Sequence, residues 1–192
     1  PPVLDTAPSP ALSSISEDIA SGSNSGTTVA ALVASGSITD VDVTSPATVP
    51  VAIAVTSIDN TNGIWQYKGG AGNWTDFSAS RAANVALGPA ALLLDGTDAI
   101  RFVPNANYYG SASLTYRAWD MSAGSAGGSS DPFATGGNTA LSVAEETATI
   151  TVSAVNDTPT TAAKTISIDE DSTYVFSSSD FAFADVDSSD TL

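Results

Sequence analysis

Residues 147–154 constrain the fold more than any other part of the chain. Ala148, Ile150, Val152 and Ala154 alternate without a break with Thr147, Thr149, Thr151 and Ser153. Successive side chains of an extended chain point to opposite faces, so this period of two describes a strand with one buried face and one wet face. A helix would scatter the same apolar residues around its circumference. Comparable patterns lie upstream. Leu114, Tyr116 and Ala118 alternate with Thr115, Arg117 and Trp119, Val49, Val51, Ile53 and Val55 mark another strand, and residues 100–103 a shorter one. Trp65-Gln66-Tyr67 and Trp74-Thr75-Asp76-Phe77 flank Gly69-Gly70-Ala71-Gly72-Asn73, which reads as a hairpin. Two alanine-rich segments are ambiguous because Ala favours helix. Residues 28–35 are read as a strand and residues 79–94 as mixed. Many short strands, glycine and proline turns and no long helical period predict an all-β sandwich.

The chain also repeats itself. Pro2-Val3-Leu4-Asp5-Thr6-Ala7-Pro8 is echoed by Ala154-Val155-Asn156-Asp157-Thr158-Pro159. Ile15-Ser16-Glu17-Asp18 is echoed by Ile168-Asp169-Glu170-Asp171, and Ile38-Thr39-Asp40-Val41-Asp42 by Phe183-Ala184-Asp185-Val186-Asp187. Asp5 and Asp157 stand 152 positions apart, Glu17 and Glu170 153, and Asp40 and Asp185 145, the last difference being explained by a loop of another length. Three landmarks in one order divide the chain into a full repeat, residues 1–155, and a linker with the opening strands of a second, residues 156–192. The shorter piece is too small to bury its own core, so it is expected to be disordered or to borrow a neighbouring sheet edge. Pro1-Pro2 does not read as a signal peptide, and the segment is expected to be internal to a longer exported chain.

Composition decides which partners are excluded. Asp and Glu number 21 against 5 Lys and Arg, a formal net charge of -16. A phosphate backbone would be repelled, and no basic stripe exists to hold it, so nucleic acid is not expected. Anionic membrane surfaces are disfavoured on the same ground, and no apolar run reaches the roughly 20 residues that span a bilayer. There is no Cys and no His. Disulfides, thiolate chemistry, imidazole ligands and the usual catalytic base are therefore all missing. Most of the acids are Asp, a turn former, which places them in loops where several can meet on a cation. An acidic surface also serves solubility alone.

Spacing separates these readings. Tyr116-Arg117-Ala118-Trp119-Asp120 ends one strand, and residues 148–154 run into Val155-Asn156-Asp157-Thr158-Pro159. The arrangement resembles the cadherin pattern, in which the penultimate strand ends in A-x-D and the last strand enters an N-D-x-P linker. It is still more similar to the cadherin-like tandem repeats of large secreted bacterial adhesins, the RTX-type and biofilm surface proteins. Those share G-x-W-x-Y, present as Gly63-Ile64-Trp65-Gln66-Tyr67, and P-N-x-N-Y-x-G, present at residues 104–110. The likeness covers most of residues 1–160. It implies a Greek-key β-sandwich of immunoglobulin or cadherin-like type with an inserted β-hairpin, located outside the cell on a bacterial surface. It also implies Ca²⁺ at the junctions between repeats, and neighbouring repeats of the same chain as partners. Contact with a host-surface or biofilm ligand would run through other domains.

Carried over, the pattern gives two half-sites for Ca²⁺, which takes six to eight oxygen ligands. Asp5, Asp40, Asp42 and Asp120 should converge at the amino-terminal end of the sandwich. Glu17, Asn156, Asp157, Asp185 and Asp187 should converge at the carboxy-terminal end. Two departures imply fewer or weaker ions: Asn105-Ala106-Asn107 stands where cadherins carry D-R-E, and Ser153 where they carry another acid. Extracellular calcium modules commonly bind at about 10⁻⁴–10⁻³ M, so weak sites would still fill.

Each acid has a plainer explanation. Asp120 at a strand end is also an ordinary turn former, and Glu17-Asp18 would also serve as a charged guard on a sheet edge. The repeated D-x-D pairs favour calcium, because acids held so close repel unless a cation intervenes. Trp65, Tyr67 and Trp74 either glue the hairpin or stack on a sugar, the alternative function being a carbohydrate- or other ligand-binding module of the same kind of surface protein. Residues 69–73 differ from the G-G-x-G-x-D calcium nonapeptide and occur once, which sets a β-helix aside. Nothing marks a catalytic carboxylate pair, so no enzyme is expected.

Overall fold

The computed structural model describes residues 1–33, 37–42, 49–77 and 90–187. The chain divides into two compact units, Pro1–Ala154 and Val155–Leu192. The first carries β1 (Val3–Leu4), β2 (Ile15–Ser16), β3 (Thr27–Thr28), the helical turn α1 (Val29–Leu32), β4 (Ile38–Thr39), β5 (Ala52–Ile58) and β6 (Gly63–Lys68). It continues with β7 (Thr75–Asp76), β8 (Ala91–Asp95), β9 (Ala99–Pro104), β10 (Gly110–Ala118), β11 (Ser129–Ser130) and β12 (Glu146–Ser153). The second unit carries β13 (Thr160–Ala162), a 3₁₀ turn at Ser178–Asp180 and β14 (Ala182–Ala184).

The first unit is an all-β sandwich. One sheet runs β11-β8-β5-β10-β12-β2 and the other β3-β9-β6-β7, with β1 and β4 paired separately. The alternation in β12 works as a core-facing stripe: Ala148, Ile150 and Val152 are buried while Thr147, Thr149, Thr151 and Ser153 are exposed. These side chains meet Leu114 and Tyr116 of β10, Ile53 and Val55 of β5, and Trp65, Ile100 and Phe102 of the facing sheet. Each fully buried Ile, Val or Leu contributes about 1.5–3 kcal/mol, so this shared layer is what holds the two sheets together. Gly63 opens β6 where no side chain fits, since a Cβ there would collide with the Phe102 ring and the Val103 carbonyl. The hairpin forms as read, with Gln66 opposite Asp76 and Tyr67 opposite Thr75.

Two readings are corrected. Residues 28–32 are not strand throughout: Thr28 accepts the Ala31 N–H at 3.2 Å and caps α1, whose Val29 and Leu32 face the core. A side-chain oxygen that satisfies a first-turn donor is enough to start a helical turn where β-branched residues suggest extension. Residues 34–36 of that segment, and 79–89 of the segment read as mixed, lie outside the described residues. The sheet also buries both faces: Ala52, Ala54, Ala91 and Leu93 pack with Trp119, Ala140 and Leu141 on the side away from the main core.

The two units repeat the same devices in the same order. β1 pairs antiparallel with β4, Val3 opposite Thr39 and Leu4 opposite Ile38. β13 pairs antiparallel with β14, Thr160 opposite Ala184 and Thr161 opposite Phe183. The Ile19 N–H donates to the Ser16 carbonyl at 3.2 Å, as the Ser172 N–H does to the Asp169 carbonyl at 3.2 Å. Thr28 starts α1, and Ser177 starts the 3₁₀ turn. The Asp42 N–H donates to Asp40 Oδ1 at 3.0 Å, and the Asp187 N–H to Asp185 Oδ1 at 3.0 Å. With the D-V-D turns superposed, the strand registers set Val3 against Thr160 and Leu4 against Thr161. Asp5 then corresponds to Ala162 and not to Asp157.

Candidate metal centre

Asp40 directly follows β4, and Asp120 follows β10 by one residue, so two separate strand pairings deliver them. The loop opposite is fixed by the Asp120 N–H, which donates to the Ala140 carbonyl at 3.1 Å. Asp40, Asp42 and Asp120 line one recess of about 220 Å³ together with Pro1, Ser122 and Asn138. One oxygen of each anchoring acid is already used: Asp40 Oδ1 holds the Asp42 N–H, and Asp120 Oδ1 accepts from the Ser122 N–H at 2.7 Å. These are Asx turns, the plainer role of such residues, and they leave each Oδ2 for another partner. The Pro1 backbone nitrogen lies 3.9 Å from Asp42 Oδ2. The carboxylate oxygens of Asp40, Asp42 and Asp120 are not gathered within 4.8 Å of one another. Closing on an ion requires side-chain rotation, for which Asp42, 77% exposed, has room.

Asp5 does not join them. Its N–H donates to the Ser37 carbonyl at 2.8 Å and its Oδ1 accepts from Ala7 N–H at 3.0 Å. It lines a different recess, of about 230 Å³, with Pro8, Pro10, Tyr116 and Glu146. The reason is the antiparallel register of β1 on β4, which sets residue 5 opposite Ser37, at the end of β4 away from the D-V-D turn. Asn138 was missed by sequence reasoning. Its signal was the Gly136-Gly137-Asn138 run, in which both glycines adopt positive φ and turn the chain back toward Asp120.

Glu17 belongs to the opposite end of the sheet, where its N–H donates to the Ser153 carbonyl at the close of β12 at 3.1 Å. It is 6% exposed, unusual for a carboxylate.

In the second unit three acids share one knot. The Asp157 N–H donates to Asp187 Oδ2 at 2.7 Å, and the Asp187 N–H donates to Asp185 Oδ1 at 3.0 Å. Carboxylate oxygens of Asp157 and Asp187 lie within 4.8 Å of each other. Asp185 Oδ2 is closed off from solvent and accepts no hydrogen bond. Leaving a buried acceptor unsatisfied costs about 1–3 kcal/mol, more when it is charged. A cation among these oxygens would remove both that cost and the repulsion between the acids. The donor set fits a hard divalent metal, being carboxylate oxygen without sulfur or imidazole. Asn156 is turned elsewhere, its Nδ2 donating to the Asp157 carbonyl at 3.0 Å. Asp157 and Asp187 are thus half-buried carboxylates of a kind able to hold a metal ion.

Sequence reasoning also missed Asp180, the hub of the second unit. It accepts from Lys164 Nζ at 2.6 Å, Tyr174 OH at 2.6 Å and the Ser177 N–H at 2.8 Å. Those three donors, Lys164 first, hold its carboxyl far below the ordinary Asp range.

The aromatic trio forms no single open platform. Trp65 is wholly buried, with Nε1 donating to the Asp59 carbonyl at 2.9 Å. Tyr67 packs edge-on against Phe77 at 5.2 Å, and Trp74 lies under the Arg101 guanidinium at 4.2 Å. Among the described residues no helix is long and apolar enough to cross a membrane. No protein-family model, curated protein or solved structure matches this chain.

Proposed function

We propose that this chain is a calcium-binding extender repeat of a large bacterial cell-surface adhesin, secreted and exposed outside the cell. Its role is structural and not enzymatic. Ca²⁺ at the ends of each sandwich neutralises crowded aspartates and fixes one repeat against the next, so that a string of domains behaves as a rod. The partners are neighbouring repeats of the same chain, with any host or biofilm ligand held by other domains. The observation that carries this reading is the D-V-D turn built twice. Asp40-Val41-Asp42 and Asp185-Val186-Asp187 follow equivalent strands with the same 3.0 Å Asx bond, and the second leaves a closed-off carboxylate oxygen without a donor. A turn alone needs one acid, and these turns have two.

The test is calorimetric titration of chelator-treated protein with Ca²⁺ and Mg²⁺, alongside small-angle scattering and thermal melting with and without chelator. Saturable calcium binding with a rise in extension or melting temperature is expected. Unchanged scattering and melting with no binding heat would end the proposal.

A further inference from the structure

We propose that the second unit presents an acceptor face for a β-strand of the β12 type, added parallel to Ile168-Asp169. The inference rests on the repeated construction of the two units and is independent of the metal. In the first unit the equivalent stretch is β2, which runs parallel to β12 with Ile15 opposite Val152 and Ser16 opposite Ser153. The Leu12 N–H donates to the Thr149 carbonyl at 2.8 Å, and the Glu17 N–H to that of Ser153 at 3.1 Å, extending the pairing at both ends. In the second unit the matching turn places Ile168 where Ile15 stands, yet Ile168 lies in no strand and is 54% exposed.

Its neighbours repeat the discrepancy. Thr27, which precedes the capping Thr28, pairs with Ile100 of β9 and is buried. Phe176, which precedes Ser177, is 64% exposed. Leu32 and Val33, which close α1, are buried, whereas Phe181, which closes the 3₁₀ turn, is 55% exposed. Tyr174, Phe176 and Phe181 form one patch, with ring centroids 5.4 Å and 5.9 Å apart. Asp180 and its donors brace this patch from behind through Tyr174 and Ser177. Contiguous exposed aromatic surface on a braced scaffold marks an interaction site.

Charge selects the occupant. Residues 155–192 carry eight Asp and Glu against Lys164, so a second copy of the same face would be repelled. Residues 147–154 carry no charge and alternate apolar side chains with threonine, the pattern that strand addition uses: main-chain bonds for affinity and alternate side chains for fit.

The experiment titrates a synthetic end-capped peptide of residues 147–154 into the intact 192-residue chain in chelator, followed by ¹⁵N–¹H correlation spectra. Working without calcium keeps a failure of the metal reading separate from a failure here. Saturable shifts at residues 168–170, with slowed exchange of the Glu170 amide, are expected. Both should disappear with Ile168→Asn, and with a peptide carrying Ile150→Asp and Val152→Asp. Absence of saturable shifts in the second unit overturns the proposal, as do equal shifts with the double-aspartate peptide or shifts confined to residues 10–17. Concentration-dependent self-association abolished by Phe176→Asp would assign the face to a second copy and overturn it too.

Discussion

Replacing Asp187 with Asn should have opposite consequences with and without calcium. The substitution keeps an oxygen for the Asp157 N–H, which Asp187 Oδ2 accepts at 2.7 Å, and removes one of the crowded charges. Two like charges at the 4.8 Å limit that separates the Asp157 and Asp187 oxygens repel by about 0.9 kcal/mol in water, and about 3.5 kcal/mol at an effective dielectric of ~20. Both side chains are half-exposed, so the lower figure applies. In chelator, Asp187→Asn is therefore expected to hold the second unit together at least as well as the native residue. In calcium the order reverses. At about 10 mM Ca²⁺ and a dissociation constant of ~0.1–1 mM, binding stabilises the native chain by about 1.4–2.7 kcal/mol, or a 10- to 100-fold rise in amide protection. The assay is hydrogen exchange of the amides in β13 and β14, at matched ionic strength so that screening by added salt is not mistaken for binding. Magnesium at the same concentration serves as the second control. Protection that calcium leaves unchanged in the native chain, or raises equally in Asp187→Asn, would refute the reasoning.

Three further outcomes follow from the geometry. Asp180 is held below its ordinary pKa by Lys164, Tyr174 and Ser177, so its contribution is complete above the unfolded Asp value of about 4 and is lost as pH falls toward the folded value. Amide protection in β13 and β14 should decline on acidification in the native chain; a native pH profile no different from that of Asp180→Asn would contradict this. Ile150 is 3% exposed in the shared core, and Ile150→Ala should cost about 2–5 kcal/mol. Urea unfolding followed by indole fluorescence reads this, and an unmoved midpoint would show that β12 does not carry the core. Arg101 donates Nε to Gln66 at 2.7 Å and Nη1 to the Ser21 and Asn24 carbonyls at 2.9 Å. A lysine lacks that planar fork, so Arg101→Lys should speed exchange in residues 21–26 while β10 and β12 keep theirs. Equal protection at residues 21–26 would sink that account.

The sequence by itself determined the strands whose pattern is local. β12 and β10 follow from period-two alternation, the β6–β7 hairpin from glycines between aromatic runs, and the paired D-V-D turns from their literal recurrence. Local chemistry suffices there, because pleat and turn geometry are set within a few residues. Tertiary structure decided what depends on partners far away in the chain. Trp119 was legible as opposite in phase to Tyr116 and Ala118, but its burial under Ala140 and Leu141 was not, since no periodicity states that a sheet will be covered on both sides. The parallel seat of β2 on β12, and Thr28 starting a helical turn instead of continuing a strand, came from contacts and not from composition. Asp5 makes the point most sharply. Matching letters set it beside Asp157, yet hydrogen-bond register, which no residue type encodes alone, set Val3 against Thr160 and carried Asp5 to another recess. Which acids are present was written in the chain; which of them share one recess was fixed by the pairing of its strands.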